Sequence, residues 1–174
     1  MRLFFASWPP ASALPVLHHH SERLHARLGG RVVPRVRLHL TLAFLGDVDD
    51  TRLVELTTLA ARVAAASTAQ SIDFNTLGGW DNGIGWLAPS APPPGLIELA
   101  ERLNTALRDA GFLVERRRYR PHLTLLRSAR RHWRSHSVAS LHWPLDHLAL
   151  VESTMGPQGP SYVELARWPL GGES

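Results

Sequence analysis

The tetrapeptide His-Leu-Thr-Leu occurs twice in this chain, at His39–Leu42 and His122–Leu125, 83 residues apart. In an extended segment side chains alternate between faces, so His39 and Thr41 share one face while Leu40 and Leu42 take the other. The leucines can enter a core, and the imidazole and hydroxyl then project together into whatever lies opposite. Two such faces turned toward each other would gather two imidazoles and two hydroxyls around one bound group. Imidazole suits proton transfer in either direction, because its ordinary pKa is about 6.5. Around a phosphodiester, one neutral ring would take a proton from water while the other, as imidazolium, gives one to the departing oxygen. The hydroxyls of Thr41 and Thr124 can donate to the non-bridging phosphate oxygens. Arg127, on the same segment as His122, can offset developing charge. This chemistry demands no metal and no cofactor.

A single His-x-Thr is more often an ordinary half-exposed strand pair. The surroundings repeated at the same offset raise its significance here. Leu3-Phe4-Phe5 falls on Trp86-Leu87-Ala88, Pro9-Pro10 on Pro92-Pro93, and Arg35 and Arg37 on Arg118 and Arg120. Each half reads as strand, proline-rich turn, helix, basic loop and motif strand, so the expectation is one domain over 1–174 built from a duplicated unit. Strands are expected at Leu3–Ser7, Leu38–Leu45, Ser71–Leu77, Ile84–Ala88 and Tyr119–Leu126, with a closing pair at Leu145–Ser153 and Ser161–Ala166. Helices are expected at about 12–28, 51–66 and 96–110, the second capped by Asp49-Asp50 and the third stopped by Gly111. Ser128–Pro144, with scattered His, Trp and Arg, reads as irregular. The sum is an α+β protein of two related sheet-and-helix lobes.

Composition narrows the chemistry further. A chain of 174 residues with 44% hydrophobic and 20% charged positions can bury a core as one domain. No run approaches the roughly 18 apolar residues of a membrane helix, so no membrane association is expected. Cysteine is absent, which removes disulfides, thiolate metal sites and a cysteine nucleophile. All 19 basic residues are arginine, within a formal net charge of +4. There is therefore no Schiff-base or P-loop lysine, and any anion must be held by arginine, histidine, hydroxyls or backbone N–H groups. Met1-Arg2 followed by LFFASW imitates a short leader, but Pro9-Pro10 limits its apolar run to six residues. The usual run is about 7–15, so the segment reads as the first strand of a cytoplasmic protein.

Other features have bland readings beside sharp ones. His18-His19-His20 lies within the first helix facing three directions and reads as a solvated face. His132 and His136 could share a zinc ion on a helix, but no third ligand stands at a telling spacing. Arg116-Arg117-Arg118 and Arg120 are either a solvated loop or an electrostatic guide for a nucleic-acid backbone. Phe44 and Trp86 are candidates for stacking on a base, though strand aromatics are more often core. Gly78-Gly79 and Gly83-x-Gly85 lack the dinucleotide fingerprint and read as turn residues.

At these motifs the chain resembles the two-histidine phosphoesterases, and within them the bacterial RNA 2′,3′-cyclic phosphodiesterases, historically called 2′-5′ RNA ligases. The resemblance is carried by LFFA at 3–6, HLTLAFLG at 39–46, Trp86-Leu87, PPGLIELAERL at 93–103 and PHLTLLR at 121–127, and extends to Trp168. It implies a bilobal fold with antiparallel sheets facing a central cleft. It implies hydrolysis of a 2′,3′-cyclic phosphate at an RNA 3′ end, or of a cyclic nucleotide, to a 2′-phosphate. His39 would be the proton donor and His122 the acceptor, with Thr41, Thr124 and Arg127 on the phosphate. No metal or cofactor is implied, and a monomer is expected. ATP-independent 2′-5′ ligation at the same site, or a reader of cyclic ends without turnover, are the alternative readings. Segment 128–144 has no correspondence in this resemblance.

Overall fold

The computed structural model describes residues 1–131 and 133–171, which form nine strands and three α-helices. In chain order these are β1 (Arg2–Ser7), α1 (Leu14–Leu28), β2 (Arg31–Val32), β3 (Leu40–Asp47), α2 (Leu53–Ala65) and β4 (Gln70–Gly79). There follow β5 (Gly85–Ala88), α3 (Pro94–Asp109), β6 (Leu123–Arg127), β7 (His136–Leu145), β8 (His147–Gly156) and β9 (Gly159–Pro169). The strands form one antiparallel sheet in the order β7-β4-β5-β6-β3-β1-β8-β9, with β2 also pairing β6.

That order reads alike outward from its middle. β3 and β6 carry the two motifs and meet at a single ladder pair, Leu40 opposite Leu123. Beyond β6 come β5, β4 and β7; beyond β3 come β1, β8 and β9. The offset that superimposes β3 on β6 does not carry over to β1 and β5. Thr41 pairs with Ala6, and Thr124 pairs with Trp86, so Trp86 answers to Ala6 rather than to Leu3.

Each helix buries one stripe. α1 presents Leu17, Leu24 and Leu28, α2 presents Leu56, Leu59 and Val63, and α3 presents Leu96, Leu99, Leu103 and Leu107. All three stripes join the core cluster that holds Leu3, Phe5, Leu40, Leu42, Leu123 and Leu125. The helices therefore cover one face of the sheet. The ends follow local chemistry: Asp49 accepts from the Thr51 N–H at 2.8 Å ahead of α2, and Gly29, at φ +66°, stops α1. β1 is buried on both sides, which accounts for its unbroken apolar run. Leu3 and Phe5 enter the main core, while Phe4 and Ala6 join Ala149 and Val151 in a small cluster on the other face.

Some sequence expectations need correction. Gly78 and Gly79 are not turn residues but end β4, paired with Trp86 and Gly85. Segment 128–144 is not irregular throughout: β7 runs from His136 to Leu145 and pairs with β4. Its Leu141, Trp143 and Leu145 alternate inward, and Pro144 is tolerated because β7 is an edge strand. β6 begins at Leu123 rather than Tyr119. His20 is not on a solvated face but is 5% exposed, with Nδ1 unpartnered. His136 opens β7 rather than standing on a helix, and His132 lies outside the described residues.

Candidate active site

Leu38, Leu40 and Leu42 are each at most 1% exposed, so His39 and Thr41 point away from the core, toward the face the helices leave open. Leu123 and Leu125 are fully buried, and the same argument turns His122 and Thr124 to that face. The Leu40–Leu123 pair sets the register between the two motifs. It places His39 beside Thr124 and Thr41 beside His122. The two imidazoles are then diagonal neighbours, whose backbones stand about 7–8 Å apart. All four side chains are half-buried, the state expected of groups lining a groove.

Arg127 reaches this face through a defect in its strand. Trp86 pairs with Thr124, but the next residue, Gly85, pairs with Leu126, so one residue of β6 is extra. Such a bulge resets the alternation. Leu126 turns to the core, and Arg127 shares the face of His122 and Thr124. β3 carries the matching irregularity, with Ala6 opposite Thr41 and Phe5 opposite Ala43. It brings Phe44, 41% exposed, to the open face. Phe44 thus occupies in one half the position Arg127 occupies in the other, and the Arg2 guanidinium lies over its ring at 5.2 Å. The Arg127 charge acts on both His39 and His122, disfavouring their protonated forms.

Both imidazoles are held alike. His39 Nδ1 lies 2.7 Å from the Arg37 carbonyl oxygen, and His122 Nδ1 lies 2.7 Å from that of Arg120. A carbonyl only accepts, so Nδ1 carries the proton in each ring and Nε2 is left for chemistry. Their surroundings differ. His39 packs among Phe4 (4.9 Å), Trp8 (5.8 Å) and Tyr162 (5.3 Å). Burial first, and then Arg127 and His122, lower its pKa to about 4, against a raising hydrogen bond to Arg37. His122 meets Trp80 at 4.6 Å. Its pKa is also lowered, by burial first and then by Arg117 and Arg127.

The neighbouring architecture keeps these groups in place. Trp86 lies on the open face, 5.7 Å from Trp80, with its ring over Gly78. A Cβ at Gly78 would stand 2.5 Å from that ring, so the close approach requires glycine. Tyr119, just ahead of His122, donates its hydroxyl to the Thr41 carbonyl at 2.9 Å, tying one motif to the other. Trp8 is fixed by Nε1–H to Glu164 at 2.6 Å and by its backbone N–H to His147 Nε2 at 3.2 Å.

The model of the 2′-5′ RNA ligase superfamily matches residues 9–156. The chain belongs to the 2′-5′ RNA ligase superfamily. An Escherichia coli protein named RNA 2′,3′-cyclic phosphodiesterase is 32% identical over 97% of this chain and 96% of its own length. A Thermus thermophilus protein of the same name is 31% identical, covering 99% and 92%. Among solved structures, a Thermus thermophilus protein superimposes with a TM-score of 0.88 at 27% identity, covering 100% of both chains. Escherichia coli LigT complexed with 3′-AMP does so with a TM-score of 0.80 at 30% identity, covering 97% of both. The α+β fold, with one antiparallel sheet and three helices, is thus the fold of solved superfamily members.

In this superfamily member, the histidines, threonines, Arg127, Phe44 and Trp86 singled out by sequence all lie on one face. Phe44 stands at its rim beneath Arg2, and Trp86 next to Trp80. The sequence reading missed Trp8, Trp80 and Tyr162, the rings that stand directly against the two imidazoles. The alternation of Phe4, Ala6 and Trp8 was a usable signal for a strand buried on both faces. Trp80 stands among turn residues, and Tyr162 reaches His39 only because β9 folds back on β8, so neither carries a local cue. The basic run 116–118 is solvent-exposed, and Arg117 pairs with Glu115.

Proposed function

We propose that this superfamily member hydrolyses 2′,3′-cyclic phosphate ends of RNA to 2′-phosphates by acid–base catalysis between His39 and His122, without a metal. One observation carries the reading: the two Nδ1–H groups are committed in the same way to the Arg37 and Arg120 carbonyls, which leaves Nε2 of each ring for proton transfer. Relatives named RNA 2′,3′-cyclic phosphodiesterase, and a superimposable relative complexed with 3′-AMP, support this substrate class.

In the proposed step His122 Nε2 accepts a proton from water as the water oxygen bonds to phosphorus. The bond from phosphorus to O3′ breaks, and His39, as imidazolium, delivers its Nε2 proton to that oxygen. Thr41 and Thr124 donate to the non-bridging oxygens, and Arg127 offsets the added negative charge. The division of roles follows exposure. His122 is the more open ring, where water arrives, whereas His39 is enclosed by aromatic rings that shelter a departing hydroxyl.

The test is incubation with an RNA ending in a 2′,3′-cyclic phosphate, in EDTA, followed by mapping of the terminal phosphate. A 2′-phosphate is expected, with His39→Ala and His122→Ala each slowing turnover by at least about 10². Tight binding without turnover would replace the enzyme by a reader of RNA ends. Joined 2′-5′ products in place of hydrolysis would favour ligation.

A further inference from the structure

Behind the rim of the groove, between α1 and the segment joining β6 to β7, lies an open cavity of about 520 Å³. Its wall carries Arg23 and Arg27 from α1, with Arg131, Trp133, Arg134 and His136 from the other side. Neither the catalytic scheme above nor the sequence motifs use these residues. Among the described residues, none of the four guanidiniums is paired with a carboxylate. Four unneutralised guanidiniums around one concavity favour an anion, and their fork geometry matches phosphate oxygens.

The remaining groups sharpen the ligand. Trp133 donates Nε1–H to His136 Nδ1 at 2.9 Å. Indole nitrogen is a donor only, so His136 Nδ1 holds the lone pair and its Nε2 carries the proton. The imidazole is thereby a donor toward the cavity. Arg27 lies over the Trp133 ring at 5.1 Å, and the His136 ring is 5.1 Å from it. The in-plane hydrogen bond sets His136 at the edge of Trp133, and the lining is dominated by guanidiniums, which suits a backbone phosphate. Behind the wall, His20 is 5% exposed and is kept neutral by burial and then by Arg23, so the positive charge belongs to the arginines.

The cavity lies on the helix-covered side of the sheet, around the end of β4 from the groove. Ser135 packs over Gly78 on the open face, and Trp133 over Gly79 on the helix-covered face. The short stretch between them therefore crosses the end of β4 from one face to the other. Gly78 carries the Trp86 ring, which adjoins Trp80, which stands against His122. A strand leaving His122 past these rings would turn around the end of β4 to meet the arginines.

We propose that this cavity binds the phosphodiester backbone of the RNA a few nucleotides upstream of its cyclic end, without regard to base. The proposal rests on the reading of the substrate as RNA. Its test is the double substitution Arg23→Gln with Arg134→Gln, neither residue belonging to the catalytic face. Fluorescence polarisation would give the affinity for an oligoribonucleotide ending in a 2′,3′-cyclic phosphate. Turnover would be measured on that RNA and on a nucleoside 2′,3′-cyclic phosphate. The expected result is RNA binding weakened at least about fivefold, with the slope of log K against log salt shallower by about 0.7 for each phosphate no longer neutralised. Nucleoside turnover should stay within about twofold of the parent, as a screened charge remote from the reacting atoms requires. Unchanged RNA affinity overturns the proposal, as does an equal loss on both substrates. If the parent binds RNA and the variant does not, but neither turns over either substrate, the cavity stands and the catalytic reading falls.

Discussion

His39 must be charged to act as the acid, yet in the free protein its pKa is lowered to about 4. The ligand itself can resolve this. A phosphodiester carries one negative charge, and at about 4 Å from Nε2 with an effective dielectric of about 20 it stabilises the imidazolium by about 4 kcal/mol. At 1.36 kcal/mol per pKa unit that is about 3 units, which lifts His39 from about 4 toward about 7. The sign follows directly. At about pH 5.5 the free ring is neutral and the bound ring is charged, so binding takes up about 0.9 proton from solvent. At about pH 8.5 neither state holds the proton and uptake falls to nearly zero. The assay is titration calorimetry in two buffers of different ionisation enthalpy. It would use His122→Ala to slow hydrolysis and a nucleoside 2′,3′-cyclic phosphate, a diester with no second ionisation of its own. Uptake should vanish in the double variant with His39→Ala. Uptake below about 0.3 proton at about pH 5.5, or uptake that survives removal of His39, would refute the electrostatic reasoning and the role given to this ring.

Two further outcomes bear on the surrounding groups. Arg127→Gln should lower kcat/KM by on the order of 10² through lost charge stabilisation, and should raise the pKa of both histidines, since its charge lowers both; an NMR titration that moves neither ring would put Arg127 outside the site. Tyr119→Phe strands the Thr41 carbonyl and should cost about 1–3 kcal/mol in urea unfolding; a variant as stable as the parent would show that the tie between the motifs is dispensable.

The central elements were legible because their signals are local. The paired His-x-Thr strands announce themselves through leucine alternation, and the helices through stripes such as Leu99, Leu103 and Leu107 with glycine at the end. β7 was missed although Leu141, Trp143 and Leu145 alternate, because Pro144 and the surrounding Arg and His argue locally for a loop. Only its position at the sheet edge makes the proline acceptable. Arg127 is expected in the site, but plain alternation from Thr124 would turn it into the core. The bulge that turns it outward exists in the pairing with β5 and leaves no mark in the residues themselves. The enclosure of His39 by Trp8 and Tyr162 is a long-range consequence of chain topology, which composition and spacing do not encode.

The paired bulges have a consequence for which product forms. A groove with true twofold symmetry would accept a five-membered cyclic phosphate in either of two orientations, each presenting a different ribose oxygen to the acid. Two interchangeable His-Thr pairs cannot choose between them, and a mixture of 2′- and 3′-phosphates would result. The unlike enclosure of the two rings breaks that symmetry, and so do the positions after the bulges, where one half presents the guanidinium of Arg127 and the other the ring of Phe44. Under the proposed mechanism regiochemistry would be set partly beside the two histidines, and an exchange of character between those two positions would shift the cut without touching the proton-transfer groups.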